Sequence, residues 1–244
     1  MPRFFVDRSA IMGDTVSIVG DDSRHIARSL RMAVGDVVEL SDGEGMDYVA
    51  TLTYIRDEEC RLEITKSEPS KKESPIEITL FMAMPKGDKL EYIVQKAVEL
   101  GASRIIPFES ERCIKRPAPD KVAKLTDRLN RIATEAAKQC GRARLPKVLP
   151  MVKFSEVSSS VSDFDLTLFC YEAETAVSIK EALTRSEISK TIAVIVGAEG
   201  GFSQSEADSL VNGGATSVTL GKRILRCETA PDYALASISY HFEL

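Results

Sequence analysis

The chain has 244 residues, 43% hydrophobic and 28% charged, with a formal net charge of −5. That length admits one large domain or two modest ones, and the balance is that of an ordinary globular protein rather than a uniformly basic nucleic-acid binder. No apolar run approaches the roughly 20 residues of a membrane helix. The opening MPRFFVDRSA lacks a signal core, and five dispersed cysteines without a CxxC pair support neither a disulfide framework nor a metal site, so a reduced cytoplasmic setting with no membrane partner is expected.

Residues 1 to about 66 alternate short Val-, Ile-, Leu- and Tyr-rich runs with turn signals, the pattern of a small β module. Val37 to Leu40 meets the turn Ser41-Asp42-Gly43-Glu44-Gly45; Tyr48 to Ile55 returns as a strand, and Arg61 to Ile64 is another. A helix is predicted over Ser23 to Met32, capped by Asp21 or Asp22, with Arg24, His25, Arg28 and Arg31 on or near it. Ser67 to Pro75 is polar, has a proline near each end and reads as the linker between a domain over 1–70 and another over 75–244.

Beyond it strands alternate with helices, which predicts a mainly parallel sheet covered on both faces. Ile76 to Met84 is a strand. A helix follows with Leu90, Ile93, Val94, Ala97 and Val98 on one stripe, ended by Gly101. Arg104 to Phe108 is the next strand. Asp120 is placed to cap a long helix to Gln139, with Val122, Leu125, Leu129, Ile132, Ala133 and Ala136 inward and Lys121, Lys124, Arg128, Arg131 and Lys138 outward. Arg104 to Lys147 holds twelve Lys and Arg against five Asp and Glu, a local +7 that leaves −12 elsewhere. Such a segment is either a polyanion-facing surface or the solvated face of a helix. Asp165 to Cys170 and Ile192 to Val196 are buried strands, with a short helix near Ser178 to Thr184 between them.

Two junctions near the end carry the chemistry. Gly197-Ala198-Glu199-Gly200-Gly201 lies between a strand and a helix opened by the capping box Ser203/Glu206. Its glycines permit close backbone approach by a ligand, yet neither GxGxxG nor GxxxxGK[ST] occurs, which disfavours a phosphate loop and with it a nucleotide-dependent kinase or dehydrogenase. Gly221 to Pro231 places Ile224 and Leu225 among Arg223, Arg226 and Glu228. Thr229 is placed to cap a last helix, with Pro231 in its first turn. Apolar residues inside a charged loop either tuck under the last helix or line a pocket, where an adenine-sized ligand held by backbone groups would fit.

Five stretches give the chain a resemblance: His25-Ile26-Ala27-Arg28-Ser29-Leu30-Arg31, Lys96 to Gly101, Glu135 to Arg142, Gly197 to Gly201, and Leu220-Gly221 through Ile224-Leu225-Arg226-Cys227-Glu228-Thr229-Ala230. In order and over essentially the whole chain, they resemble the bacterial ribosomal RNA small subunit methyltransferase E family. The resemblance implies a PUA-like β-barrel before a SPOUT-type α/β methyltransferase domain with a C-terminal trefoil knot. It also implies a homodimer that uses S-adenosylmethionine to methylate N3 of uridine 1498 in 16S rRNA of the small ribosomal subunit. Two positions depart from the family pattern: Ala198 stands where proline is usual, and Cys227 where threonine is usual. An RNA-binding or ribosome-assembly protein of this fold without methyl transfer, and a SPOUT enzyme acting on another nucleoside, are the competing readings.

On that resemblance, the expected cofactor contacts are Tyr171, Gly197, Glu199, Gly200, Gly201, Leu220, Gly221, Ile224 and Leu225. Methyl transfer to a ring nitrogen requires alignment, loss of the N3 proton and stabilisation of the uracil anion. Arg226 is expected to stabilise the anion, and Glu199 or Glu228, with Glu172 as a weaker third, to take the proton or orient Arg226. RNA contacts are expected from Arg3, Arg24, His25, Arg28 and Arg31 in the barrel. The catalytic domain is expected to add Lys86, Arg112, Lys115, Arg116, Arg142 and Arg144.

Overall fold

The computed structural model describes residues 1–114, 116–186 and 189–244; Lys115 lies outside the described residues. The chain forms two compact units. Met1–Glu73 and Ala137–Leu145 make the first, and Ser74–Ala136 and Pro146–Leu244 the second.

The first unit is a six-stranded sheet built from β1 (Arg3–Phe5), β2 (Ile11–Met12), β3 (Thr15–Val19), β4 (Val37–Ser41), β5 (Met46–Ile55) and β6 (Glu59–Pro69). Their spatial order is β1-β4-β5-β6-β3-β2, antiparallel except for the β1–β4 pair. Side chains alternate across each strand, so Val16 and Ile18, Val38 and Leu40, Ala50 and Leu52, and Cys60 and Leu62 share one core with Phe4 and Ile26. Register shifts between Val49 and Ala50 and between Leu52 and Tyr54 bend the long β5–β6 ribbon. In the turn after β4, Gly43 and Gly45 take positive φ, and Asp42 Oδ1 accepts from the N–H groups of Glu44 (2.9 Å) and Met46 (3.1 Å).

Three sequence expectations change here. The helix predicted over Ser23 to Met32 is one turn, α1 (Asp21–Arg24), running into a single π turn over His25–Ser29, with Arg31 in the left-handed region at φ 52°. Ser23 Oγ is drawn to the carbonyls of Arg56 (2.9 Å) and Asp57 (2.8 Å) and Ile26 is fully buried, so tertiary anchors override the regular repeat. Gly20, not an aspartate, occupies the N-cap; Asp21 and Asp22 sit in the first turn. The predicted linker is also shorter, because β6 continues through Ser67, Glu68 and Pro69 in register with Tyr48, Asp47 and Met46.

The second unit is a parallel sheet of β7 (Glu77–Ala83), β8 (Ala102–Glu109), β9 (Lys147–Val148), β10 (Val152–Lys153), β11 (Leu166–Cys170), β12 (Thr191–Val196) and β13 (Thr216–Val218). The order is β10-β8-β7-β12-β11-β13, with β9 also paired to β8. β7, β11 and β12 are buried almost residue for residue, as central strands covered on both faces must be. The helices are α2 (Lys89–Glu99), α3 (Pro119–Cys140), α4 (Phe154–Ser159), α5 (Ile179–Thr184), α6 (Gln204–Asn212) and α7 (Thr229–Glu243). α2 buries the five residues its stripe predicts. α3 starts at Pro119, which puts Asp120 in its first turn rather than at the cap. Its Lys138 is no outward cation, since Nζ bonds Asp22 Oδ1 at 2.9 Å and the side chain is 17% exposed.

The chain builds outward from β7 to β8 and β10 on one side, then returns to place β12 and β11 on the other. The direction reverses between β7 and β12, and the carboxyl ends of strands beside such a reversal are where open α/β sheets form clefts. After edge strand β13, residues 219–228 cross back over those ends and deliver α7 against α2, α5 and β12. The expected knot rests on this re-entry.

Candidate functional site

The cleft has a volume of about 730 Å³, within the range of small-molecule sites. Three connections wall it: Tyr171–Thr175 after β11, Gly197–Gly201 after β12, and Thr219–Cys227 after β13. Cys170, Val196 and Val218 close its apolar floor. Every residue expected to touch the cofactor, with Arg226, lines this one cleft.

The glycine loop is shaped by its neighbours. A Cβ on Gly197 would lie 2.8 Å from the ring of Phe202, itself stacked on Phe108 (centroids 6.3 Å) and edge-on to Phe169 (4.9 Å). Arg112 lies against Gly200, with NH1 donating to its carbonyl at 3.2 Å, and Gly201, at φ 62°, packs under the Glu172 carboxylate. The capping box closes as expected, Ser203 N–H donating to Glu206 Oε2 at 3.0 Å. Because the Phe202 ring is held on two sides, Gly197→Ala is expected to destabilise by about 1–3 kcal/mol. A melting temperature lowered by roughly 2–12 °C in thermal unfolding would show it; an unmoved midpoint would mean the ring yields. Ile224 is 87% exposed at the rim and Leu225 half-buried. These two supply the apolar lip that the sequence suggested.

The charged residues are arranged around a lysine that sequence reasoning did not single out. Lys89 Nζ lies 3.0 Å from Glu199 Oε1, 3.1 Å from Glu228 Oε2 and 3.7 Å from Cys227 Sγ. Glu199 also accepts from the backbone N–H of Lys86 (3.2 and 3.3 Å), and the Cys227 thiol donates to Glu228 Oε2 at 3.2 Å. The hydrogen bonds to Glu199 and then Glu228 hold the Lys89 ammonium well above its ordinary pKa. Partial burial pushes both carboxyls up. For Glu199 the bonds from Lys89 and backbone N–H groups more than offset this, and for Glu228 backbone, Lys89 and Cys227 bonds do the same, so both end below the usual carboxylate range. Burial, then the bond to Glu228, pushes the Cys227 thiol up to about 12. A carboxylate so stabilised is a weak base, which counts against Glu199 or Glu228 as the final proton acceptor. The available signal for Lys89 was its place at the first position of α2, where a cation opposes the helix dipole.

Arg226 is 84% exposed, with NH1 4.0 Å from Glu228 Oε1. Its carbonyl accepts from the N–H groups of Thr229 and Ala230 (both 2.9 Å), which starts α7; Glu228 is the N-cap, and Thr229, expected to cap, is the first helical residue.

The expected RNA contacts divide. Arg24, His25, Arg28 and Arg31 are exposed on the first unit, Arg24 paired with Asp21 and Arg28 Nε bonded to Asp57 at 3.0 Å. Lys86, Arg112, Arg116 and Arg144 are also exposed. Lys222 and Arg223, on the cleft's third wall, are exposed cations that the expectation left out. Arg3 and Arg142 do not fit an RNA surface. Arg3 is 4% exposed and tied to Glu39, Asp47 and the carbonyl of Arg142, while Arg142 is buried against Glu73. A buried, paired guanidinium is committed to the fold.

A parallel sheet with the cleft on a re-entrant C-terminal segment, following a mainly antiparallel curled sheet in the chain, defines a SPOUT-type RNA methyltransferase with a PUA-like first unit. Residues 72–239 match the RNA methyltransferase domain family, and residues 18–65 match the RNA methyltransferase PUA domain. The chain is similar to ribosomal RNA small subunit methyltransferase E of Bacillus subtilis strain 168, 32% identical with 100% of this chain and 98% of that protein covered. It is 33% identical to the Synechocystis protein of the same name, over 97% of this chain and 77% of that one. The crystal structure of the Neisseria gonorrhoeae protein of that name, bound to S-adenosylmethionine, superposes with a TM-score of 0.84 at 32% identity, covering 98% of this chain and 97% of that one. The chain belongs to the ribosomal RNA small subunit methyltransferase E family.

Proposed function

We propose that the protein transfers the methyl group of S-adenosylmethionine to N3 of uridine 1498 in 16S rRNA of the small ribosomal subunit. The observation that carries this reading is the cleft at the carboxyl ends of β11, β12 and β13. It is walled by Gly197–Gly201 and by 220–225, with the exposed Arg226, facing Glu228, at its mouth. The residues fit the cofactor. Glycine backbone and Leu220–Gly221 offer hydrogen-bonding groups without side-chain obstruction, Ile224 and Leu225 offer apolar cover for a purine, and the volume suffices. The bound cofactor would supply an electrophilic methyl group on a sulfonium.

The chain's own residues do the rest. Arg226, whose planar fork matches a carbonyl, meets the negative charge that grows on a uracil oxygen as N3 loses its proton. Glu228, facing Arg226 through Oε1, orients that fork. Glu199 and Glu228, ionised at neutral pH, accept hydrogen bonds in the cleft, and the N3 proton passes to solvent. The decisive experiment incubates the purified protein and S-adenosylmethionine with small-subunit particles from a strain lacking the modification, then maps the methylated base by mass spectrometry. Modification at another nucleoside, or none, overturns the assignment.

The exposed cations on both units serve the RNA phosphates. Affinity should fall steeply with salt. Arg31→Ala and Arg112→Ala should each lower the slope of log K against log salt by roughly one unit. Arg3→Ala should leave it unchanged. We infer a cytoplasmic homodimer: the exposed Tyr92 of α2 and Tyr233 and Tyr240 of α7 lie on two helices packed together, an aromatic face suited to a second copy. Sedimentation at micromolar concentration tests it.

A further inference from the structure

Four cations line the cleft, and three of them, Lys222, Arg223 and Arg226, are exposed on the loop after β13. Lys89 differs. It is half-buried and bonded to carboxylates from two separate connections, Glu199 after β12 and Glu228 at the head of α7. It occupies the first turn of α2, where the local preference is for an acid, so its gain must lie elsewhere. The contacts run in series. Glu199 takes the Lys86 N–H and Lys89; Glu228 takes Lys89 and the Cys227 thiol through Oε2 and turns Oε1 to Arg226.

We propose that Lys89 is the positioning residue of the reaction, clamping the glycine loop to the Arg226 segment through Glu199 and Glu228 so that Glu228 stays charged and holds Arg226 toward the base. This rests on the methyl-transfer reading above. Lys89 touches no reacting atom; it acts through the two carboxylates. Without it, two carboxylates drawn to one point repel each other. One of them then takes up a proton more readily, and the wall carrying Cys227 and Arg226 swings free. The other titratable or charged groups facing the clamp are Cys227 and Arg226; Tyr171, Glu172 and Glu174 line the opposite connection.

The pH signature follows from the sign of the shifts. Both carboxyls lie below their ordinary range while Lys89 is present, so the arrangement holds above that range and is lost as pH falls through the lowered values. Lys89→Met should therefore move the acid limb of kcat to higher pH. It should cut kcat about 10²-fold, the usual penalty for a misplacement of about 1 Å, with little change in KM for the RNA. Lys89→Arg, which can still bridge two carboxylates, should recover most of the loss. Lys89→Gln serves if the methionine variant is unstable, with the same shift expected.

A second readout needs no turnover. Cys227 is buried and Cys140 exposed. In the intact protein, iodoacetamide should label Cys140 and spare Cys227; in Lys89→Met, peptide mapping should show Cys227 labelled at least about tenfold faster, with Cys140 unchanged. Wild-type kcat with an unmoved acid limb, or unaltered Cys227 labelling, overturns the proposal. If the wild-type protein failed to methylate the particles, the reaction reading would fall, and labelling together with the pH dependence of S-adenosylmethionine binding would still decide the clamp.

Discussion

Arg226→Ala is expected to leave a folded protein that binds S-adenosylmethionine with its normal affinity and turns over about 10²–10³-fold more slowly, the usual loss when a group aimed at developing negative charge is removed. The side chain is 84% exposed and faces Glu228 at 4.0 Å, so its removal empties no core. What Arg226 gives the fold comes from its backbone: the carbonyl that receives the Thr229 and Ala230 N–H groups is still there in alanine. The melting temperature and the calorimetric affinity for the cofactor should therefore match the wild type while single-turnover methyl transfer drops. Arg226→Lys restores the charge but not the planar fork and should recover only part of the rate. Near-normal transfer by the alanine variant would remove Arg226 from the chemistry.

How much of this was legible in the sequence depended on whether a residue's task is local. The α2 stripe, the Ser203/Glu206 capping box and the glycine loop are each settled by neighbours within a few positions, and each stands where periodicity or capping put it. β6 ran past its expected end because Ser67 to Pro69 are polar yet pair with β5, and pairing is decided by the partner strand. The π turn at His25–Ser29 depends on Ser23 reaching carbonyls more than thirty positions away. The same distance problem hid the real work of three cations. Lys89 meets acids 110 and 139 positions along the chain, while Arg3 and Arg142 look in sequence like any surface arginine. A count of basic residues sees charge; it cannot see which charges the fold has already consumed. Ala198 is buried and lies in the cleft wall, so the position that departs from proline still packs as an apolar residue.

The largest effect on stability is expected at Glu73. Its carboxylate receives Arg142 Nε at 3.1 Å and NH2 at 2.9 Å, and the backbone N–H groups of Ala143 at 2.7 Å and Arg144 at 3.0 Å. The two side chains are 11% and 8% exposed, so almost no water replaces what is lost. Glu73→Ala leaves a buried guanidinium facing two N–H donors that have lost their acceptor. Breaking a buried pair from one side costs about 3–5 kcal/mol, far more than removing a solvent-exposed partner such as that of the Arg28–Asp57 pair. The loss should appear as a lowered denaturant midpoint and should change little with salt, because a buried pair is weakly screened. Glu73→Gln, which keeps an acceptor but not the charge, should fall between the two. A shift below about 1 kcal/mol for the alanine variant would mean the segment 137–145 is held by other contacts. Ser41 Oγ, which donates to the Ala143 carbonyl at 2.9 Å, and Arg3 Nε, which donates to the Arg142 carbonyl at 3.2 Å, would then be carrying it. Glu73 fixes the backbone of Arg144, one of the proposed RNA contacts. Glu73→Ala should weaken affinity at concentrations of denaturant where the protein is still folded, and Arg3→Ala, which removes a buried cation rather than a phosphate contact, should lower stability while leaving the salt slope intact.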